Sequence, residues 1–400
     1  MTNFFQVKKK SKLSNARLGL INTSHGKINT PSFIFCGTKA TVKSVLPSQL
    51  KLARTQIILS NTYHLMLQPG PEVISKEGGL QSFTDWNGPM MTDSGGYQIF
   101  SLGYGSVSEE IKGKNNNAKR KSLIKITEDG ASFRNYINGD KVFLSPERSI
   151  ELQRDFGADL IFVLDECTPF NVPKKYTEKS MYMSHRWAER CINSFDSKFK
   201  KYNSTFGSSG KQSLYGIIQG GVYEDIRKIA CEETCSKNFD GLAIGGSLGS
   251  TKNQMYDIFS ICENYIDKSK PIHILGIGGL DDILHGVSSG YDTFDCVSPT
   301  RIARHGIMMS KLSSKGINLN NSKFKDDHSS IDEGCELQEI NKFSKSYIHH
   351  LFKANEMLGM TILSIYNIWF MNKFFEEIRL SINEDRFEEY KNKILSNLVE

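Results

Sequence analysis

Several features that would place the chain in a membrane or an oxidising compartment are missing. No stretch approaches the ~18 consecutive apolar residues that a membrane helix requires. The N-terminal MTNFFQVKKKSKLSNARLG has no apolar core of signal-peptide length. The eight cysteines (Cys36, Cys167, Cys191, Cys231, Cys235, Cys262, Cys296 and Cys335) form no C-x-x-C pair and no disulfide-rich spacing. No G-x-G-x-x-G follows the first apolar run, which argues against a dinucleotide-binding fold. These absences predict a cytoplasmic protein with reduced thiols and no membrane partner.

The 400 residues are 38% hydrophobic and 24% charged, enough for one large core and an appendage. The formal charge of +6 is mildly basic and weak evidence by itself for a polyanionic partner. Apolar or β-branched runs recur at 33–37, 56–61, 90–93, 160–165, 214–221, 241–246, 273–279 and 292–296. They are continuous rather than alternating, as strands buried on both faces of a parallel sheet are. Helical patterns lie between several of them, at 146–157, 177–198, 223–237, 252–267 and 281–290. Ser145-Pro146 supplies a cap and a first-turn proline for the first of these. The alternation predicts an α/β fold, a (β/α)8 TIM barrel over 1–300 with a helical C-terminal appendage over 301–400. An open doubly wound sheet is the second choice. A basic, Asn-containing insertion at about 104–125 interrupts the pattern.

In such barrels the reactive groups sit at the C-terminal ends of the strands. Here those ends carry Asn61, Asp93, Asp165, Gln219, Gly246 and Asp295. Asp93 and Asp295, far apart in sequence, each close an apolar run before a turn-prone segment. Two converging carboxylates suit covalent catalysis at a sugar carbon, where one attacks and the other moves protons. Asp93 in Asp-Ser-Gly-Gly also reads as ordinary turn chemistry, so its role stays open at this point.

MTDSGGYQ (91–98), LDECTPF (164–170), IIQGGVYEDIRK (217–228), GLAIGG (241–246) and FDCVSPTRIARHG (294–306) together resemble the tRNA-guanine transglycosylases. The resemblance runs from GLINTSHGKINTPSFI to the C-terminal helices. It implies exchange of guanine at the wobble position of tRNAs with a G-U-N anticodon for a free deazaguanine base, without cutting the RNA. Asp295 matches the nucleophile and Asp93 the general acid/base. Asp93, Ser94, Gly95, Gly96, Tyr97, Asp165, Gln219, Gly246 and Leu275 match the base pocket. Asp165 would accept from the base, the Gln219 amide would donate to its carbonyl, and Tyr97 and Leu275 would sandwich it. RNA contacts would fall to Gly276, Ile277, Gly278, Gly279, Leu280, Asp281 and Asp282, and to Thr300, Arg301, Ile302, Ala303 and Arg304. The two arginines could instead pair with barrel carboxylates. A homodimer is compatible with the resemblance.

The family's structural zinc, held by C-x-C-x-x-C and a later histidine, is expected to be missing, leaving no cofactor. In the segment 332–351 only Cys335 remains, and Leu337, Ile340 and Tyr366 take the other ligand places. One ligand cannot hold a tetrahedral zinc. Apolar packing of those three residues is the expected replacement, with His349 and His350 as helix residues. Cys167 looks bacterial-type. The turn GGSLGS (245–250) is one residue shorter than the usual bacterial turn, which favours queuine over its aminomethyl precursor. Two other readings remain open: a non-catalytic tRNA-binding subunit of a heterodimeric transglycosylase, and a barrel glycosidase or ribosyltransferase acting on a small molecule.

Overall fold

The computed structural model describes residues 3–98 and 124–398. The basic insertion therefore lies outside the described residues, except for its last two positions. Eight parallel strands close a barrel in chain order: β1 (Ser32–Cys36), β2 (Ile58–Ser60), β3 (Met90–Thr92), β4 (Leu160–Phe162), β5 (Ser213–Ile218), β6 (Gly241–Ile244), β7 (Ile272–Ile274) and β8 (Thr293–Cys296). Each falls on one of the apolar runs, with β1, β5 and β7 starting one residue ahead of theirs. Closure comes from β8 against β1, with Thr293 opposite Ser32 and Asp295 opposite Ile34. All residues of β2, β3, β4, β6 and β7 are buried, which is why these strands do not alternate in polarity.

The sequence patterns also locate the outer helices. Pro146–Phe156 starts where the Ser145 hydroxyl accepts the Arg148 N–H (3.1 Å), and it ends at Gly157 with φ of 75°. Lys174–Asp196, Glu224–Cys235, Lys252–Tyr265 and Leu280–Ser288 follow in their expected places.

After β8 the barrel has only a six-residue helix, Ser298–Ala303, too short to cover the last strand and the first. The 27-residue helix Met357–Asn383 does this instead. Phe375 packs on Phe33 of β1 (ring centroids 6.0 Å apart) and on Phe294 of β8 (5.8 Å). Burial of each such ring stabilises by about 1.5–3 kcal/mol. Three polar ties fix the helix lengthwise. Asn367 donates to the carbonyls of Pro299 (2.9 Å) and Ile307 (3.1 Å), Asn372 to that of Ala53 (2.7 Å), and Arg379 to that of Pro31 (2.7 Å). The C-terminal region thus supplies a wall of the barrel.

Four small sheets are not visible in the sequence patterns, one of them the two-stranded pair Phe206–Gly207 and Gly210–Lys211. Phe5–Lys10, Arg17–Thr23 and Gly26–Thr30 form an antiparallel sheet at the N-terminal end of the barrel. Arg17 anchors it there through Asp292, just ahead of β8. Lys125–Thr127, Gly130–Arg134 and Lys141–Leu144 form a second between β3 and β4. Ile307–Ser310 and Ser313–Asn318 form a hairpin at the start of the stretch expected to be helical. Short, charged, half-exposed strands such as these give too weak an apolar period to read. Among the described residues, no helix is long and apolar enough to cross a membrane.

Candidate active site

At the C-terminal mouth of the barrel, Asp93 leaves β3 and is held from β2. Asn61 caps the helix Thr62–Leu67, its side-chain oxygen accepting the His64 N–H (3.0 Å). The Asn61 amide donates to one oxygen of Asp93, and the Thr62 N–H donates to the other (2.8 Å). Burial pushes the Asp93 carboxyl up to about 7. The Thr62 N–H opposes this, and the nearby charge of Asp295 adds to it. Such a group can both give and take a proton near neutrality.

Asp165 and Gln219 form the next wall. The Gln219 amide donates to an Asp165 oxygen, and burial raises this carboxyl to about 6 against that hydrogen bond. The loop after β4 is clamped by Glu166, whose carboxylate accepts the Tyr176 hydroxyl (2.6 Å) and whose N–H donates to Ser184 Oγ (3.0 Å). The resemblance implies that the Gln219 amide donates to the base carbonyl. One of its N–H groups is turned to Asp165, because a carboxylate is the strongest acceptor within reach. Its Oε1 is buried and unpartnered among the described residues, an acceptor left over for a ligand.

Two glycines sit where a side chain would crowd the site. A Cβ on Gly96 would lie 2.7 Å from the Asp165 carbonyl oxygen, and one on Gly246 2.3 Å from Gln219 Oε1. Gly246 also has φ of 73°, which side chains rarely adopt. Leu275 stands beside Gly245, where an added Cβ would meet its Cδ1 at 3.5 Å. Ser94 is buried, and its hydroxyl bonds Asp165. Tyr97 follows on the rim, 48% exposed.

Asp295 lies across the mouth at the end of β8. It accepts the Gly276 N–H (3.0 Å), faces His273 Nε2 (3.2 Å), and meets the Cys36 thiol at 3.6 Å. Burial, the Asp295 charge and neighbouring groups push the Cys36 thiol well above its usual range, so it stays protonated as a weak donor.

Against this geometry, the family model described as queuine tRNA-ribosyltransferase matches residues 11–400. Curated queuine tRNA-ribosyltransferases of similar length align end to end. The Roseiflexus sp. (strain RS-1) protein is 41% identical over 97% of this chain and 98% of its own. That of Thermoanaerobacter pseudethanolicus is 42% identical over 97% and 95%. That of Protochlamydia amoebophila is 41% identical over 96% and 97%. The chain belongs to the queuine tRNA-ribosyltransferase family.

For a queuine tRNA-ribosyltransferase fold, the residues expected to touch RNA separate into two kinds. Arg301 is exposed and Arg304 half-buried, while Thr300 and Ala303 are buried and Ile302 is half-buried. Burial and the Arg301 charge hold the Arg304 guanidinium below its usual range. Among the described residues neither arginine has an ion-pair partner, so the pairing with barrel carboxylates left open by the sequence is not found. Gly276 offers its N–H to Asp295, and Ile277, Gly278 and Gly279 continue the loop. Leu280 is buried at the start of its helix. Asp281 pairs with Lys252, and Asp282 accepts the Tyr256 hydroxyl (2.9 Å). Gly95, with φ of 88°, turns the chain between Ser94 and Gly96.

The segment for which the resemblance implies a zinc site carries few metal donors. Cys335, Leu337, Ile340 and Tyr366 are all buried, giving one sulfur, two aliphatic chains and a phenol. The packing is not purely apolar, as the sequence had suggested. The Tyr366 hydroxyl donates to Asp332 (2.7 Å), and Asn341 donates to the Cys335 carbonyl (3.0 Å). His349 faces the Leu319 carbonyl (2.7 Å), and His350 stacks with Tyr347.

The sequence reading missed His273, Cys36, Thr62 and Arg227. Arg227 is fully buried and donates to the carbonyls of Gly221 (2.8 Å), Ile218 (2.9 Å) and Ser247 (3.1 Å), tying the Gln219 loop to the Gly246 turn. A lone histidine inside an apolar strand and an arginine on a buried helix face were the available signals.

The raised Asp93 value gives a test. Its folded pKa exceeds the unfolded one of roughly 3.9, so its stabilising contribution is complete below pH ~4 and lost as pH rises through 7. Urea unfolding from pH 4 to 8 should show Asp93→Asn gaining on the parent protein as pH rises. A constant difference across that range would contradict the assignment.

Proposed function

We propose that the chain is a tRNA-guanine transglycosylase that works through a covalent ester between Asp295 and ribose. The observation that carries the mechanism is the pairing of Asp93 with Asp295 at one barrel mouth. Asp93 is pushed up to about 7, partly by the Asp295 charge. Asp295 attacks the anomeric carbon, and the carbon–nitrogen bond to guanine breaks. The electron pair leaves with guanine, which takes a proton from Asp93. The incoming base gives a proton to Asp93 and displaces the Asp295 carboxylate. A positioned acid/base of this kind contributes roughly 10²–10⁴-fold. Asp165, the Gln219 oxygen and the Gly246 backbone form the edge that reads the base. Arg301 and Arg304 face the RNA, as arginines suited to phosphate do. A binding-only subunit is not favoured, because the catalytic pair is intact. A small-molecule glycosidase is not favoured either, because the relatives that match along their full length are named as tRNA-ribosyltransferases.

Mixing the enzyme with a G-U-N tRNA and running it under denaturing conditions should give a shifted protein–RNA band. The band should vanish in Asp295→Asn. Normal guanine exchange by that variant would refute the mechanism.

The incoming base is queuine rather than its aminomethyl precursor. The support is the short turn after Gly246: residues 245–250 read GGSLGS, and a shorter turn leaves more room beside Gly246 for queuine's added ring. Ser247 is held there by Arg227, and Gly249 has φ of 94°. Incorporation of the two bases into one tRNA should favour queuine; preference for the precursor would reverse the reading.

The C-terminal segment works without zinc, its place taken by the Tyr366–Asp332 hydrogen bond and the buried side chains around it. Elemental analysis of protein purified without chelator should find substoichiometric zinc. One zinc per chain would overturn this.

A further inference from the structure

The two oxygens of Asp295 are not equivalent. Oδ1 accepts the Gly276 N–H at 3.0 Å and lies 3.2 Å from His273 Nε2. Oδ2 meets only the Cys36 thiol among the described partners, at 3.6 Å. His273 sits in β7 with no exposed surface, paired in register with Thr293 of β8. Its Nδ1 is 3.0 Å from Thr293 Oγ1. With Asp295 ionised, these partners assign the tautomer: Nε2–H donates to Oδ1, and Nδ1 accepts the Thr293 hydroxyl.

We propose that His273 is a positioning residue which, with the Gly276 N–H, holds Asp295 Oδ1 and so reserves Oδ2 as the oxygen that attacks ribose. This rests on Asp295 being the nucleophile. Two donors on one oxygen fix the carboxylate's rotation and draw charge to that side. The other oxygen keeps its lone pairs, since a thiol is a weak donor that gives way easily.

The arrangement serves both halves of the exchange. In the first, the bond from Oδ2 to the anomeric carbon forms as the bond to guanine breaks. Oδ1 becomes the ester carbonyl oxygen and stays against its two donors. In the second, the new base bonds the anomeric carbon and the Oδ2 bond breaks. Its electron pair returns to the carboxylate, where donors already aimed at Oδ1 stabilise the developing charge without reorganising.

A plain packing role for His273 is the competing account, since its ring lies 5.5 Å from that of Phe162. His273→Leu preserves packing without a donor, and His273→Gln restores an N–H at similar reach. Labelled-guanine exchange should show kcat of the leucine variant falling up to roughly 100-fold. KM for tRNA should stay within about twofold, as expected of an interaction that strengthens only on the reaction path. The glutamine variant should recover most of the loss. Cys36→Ser, which puts a stronger donor on the attacking oxygen, should slow kcat roughly three- to tenfold.

Parental kcat in His273→Leu, or a loss that glutamine does not restore, would overturn the proposal, as would faster exchange by Cys36→Ser. If the leucine variant fails to fold, glutamine against asparagine decides: only glutamine reaches Oδ1, so equal rates count against the idea. A covalent band persisting in Asp295→Asn would instead remove the nucleophile assignment itself.

Discussion

Two carboxylates face each other across the mouth of a barrel whose walls are almost wholly apolar. The loss of water around Asp93 pushes its carboxyl up to about 7, and the charge of Asp295 pushes in the same direction. The rest of the site answers this cost. Asn61 and Thr62 donate to Asp93, and Gly276 and His273 meet Asp295. Each donor is a backbone group or a buried side chain, so little ordering remains to be done when substrate arrives.

Holding those donors in place is the work of the barrel and its unusual cover. A short helix after β8 leaves the seam between β8 and β1 open, and the helix Met357–Asn383 closes it with Phe375. Asp295 sits on that seam, opposite Ile34. The C-terminal region therefore packs directly against the strand that carries Asp295. In that region Tyr366 donates a buried hydrogen bond to the Asp332 carboxylate.

Much of this was legible in the chain. The apolar runs located each barrel strand because strands buried on both faces need apolar residues on both. Polar residues at the ends of those runs marked Asp93, Asp165, Gln219 and Asp295, since a buried core has no other use for them there. The four small sheets were not legible, because strands such as Lys125–Thr127 are short, charged and half-exposed. The link between Gln219 and Asp165 was not legible either, because only the folded chain brings Asp165 within reach of that amide.

The sequence by itself determined the barrel and which carboxylates end its strands, both of which depend on local pattern or residue type. Tertiary structure alone decided how those carboxylates behave. His273 reads as an ordinary core residue until β7 and β8 align it with Thr293 and Asp295. Cys36 and Asp295 meet only when β8 closes on β1. Arg227 acquires its role from carbonyls at the ends of two different strands. Such contacts join residues far apart in the chain, and desolvation and hydrogen bonding depend on the three-dimensional surroundings that those contacts create.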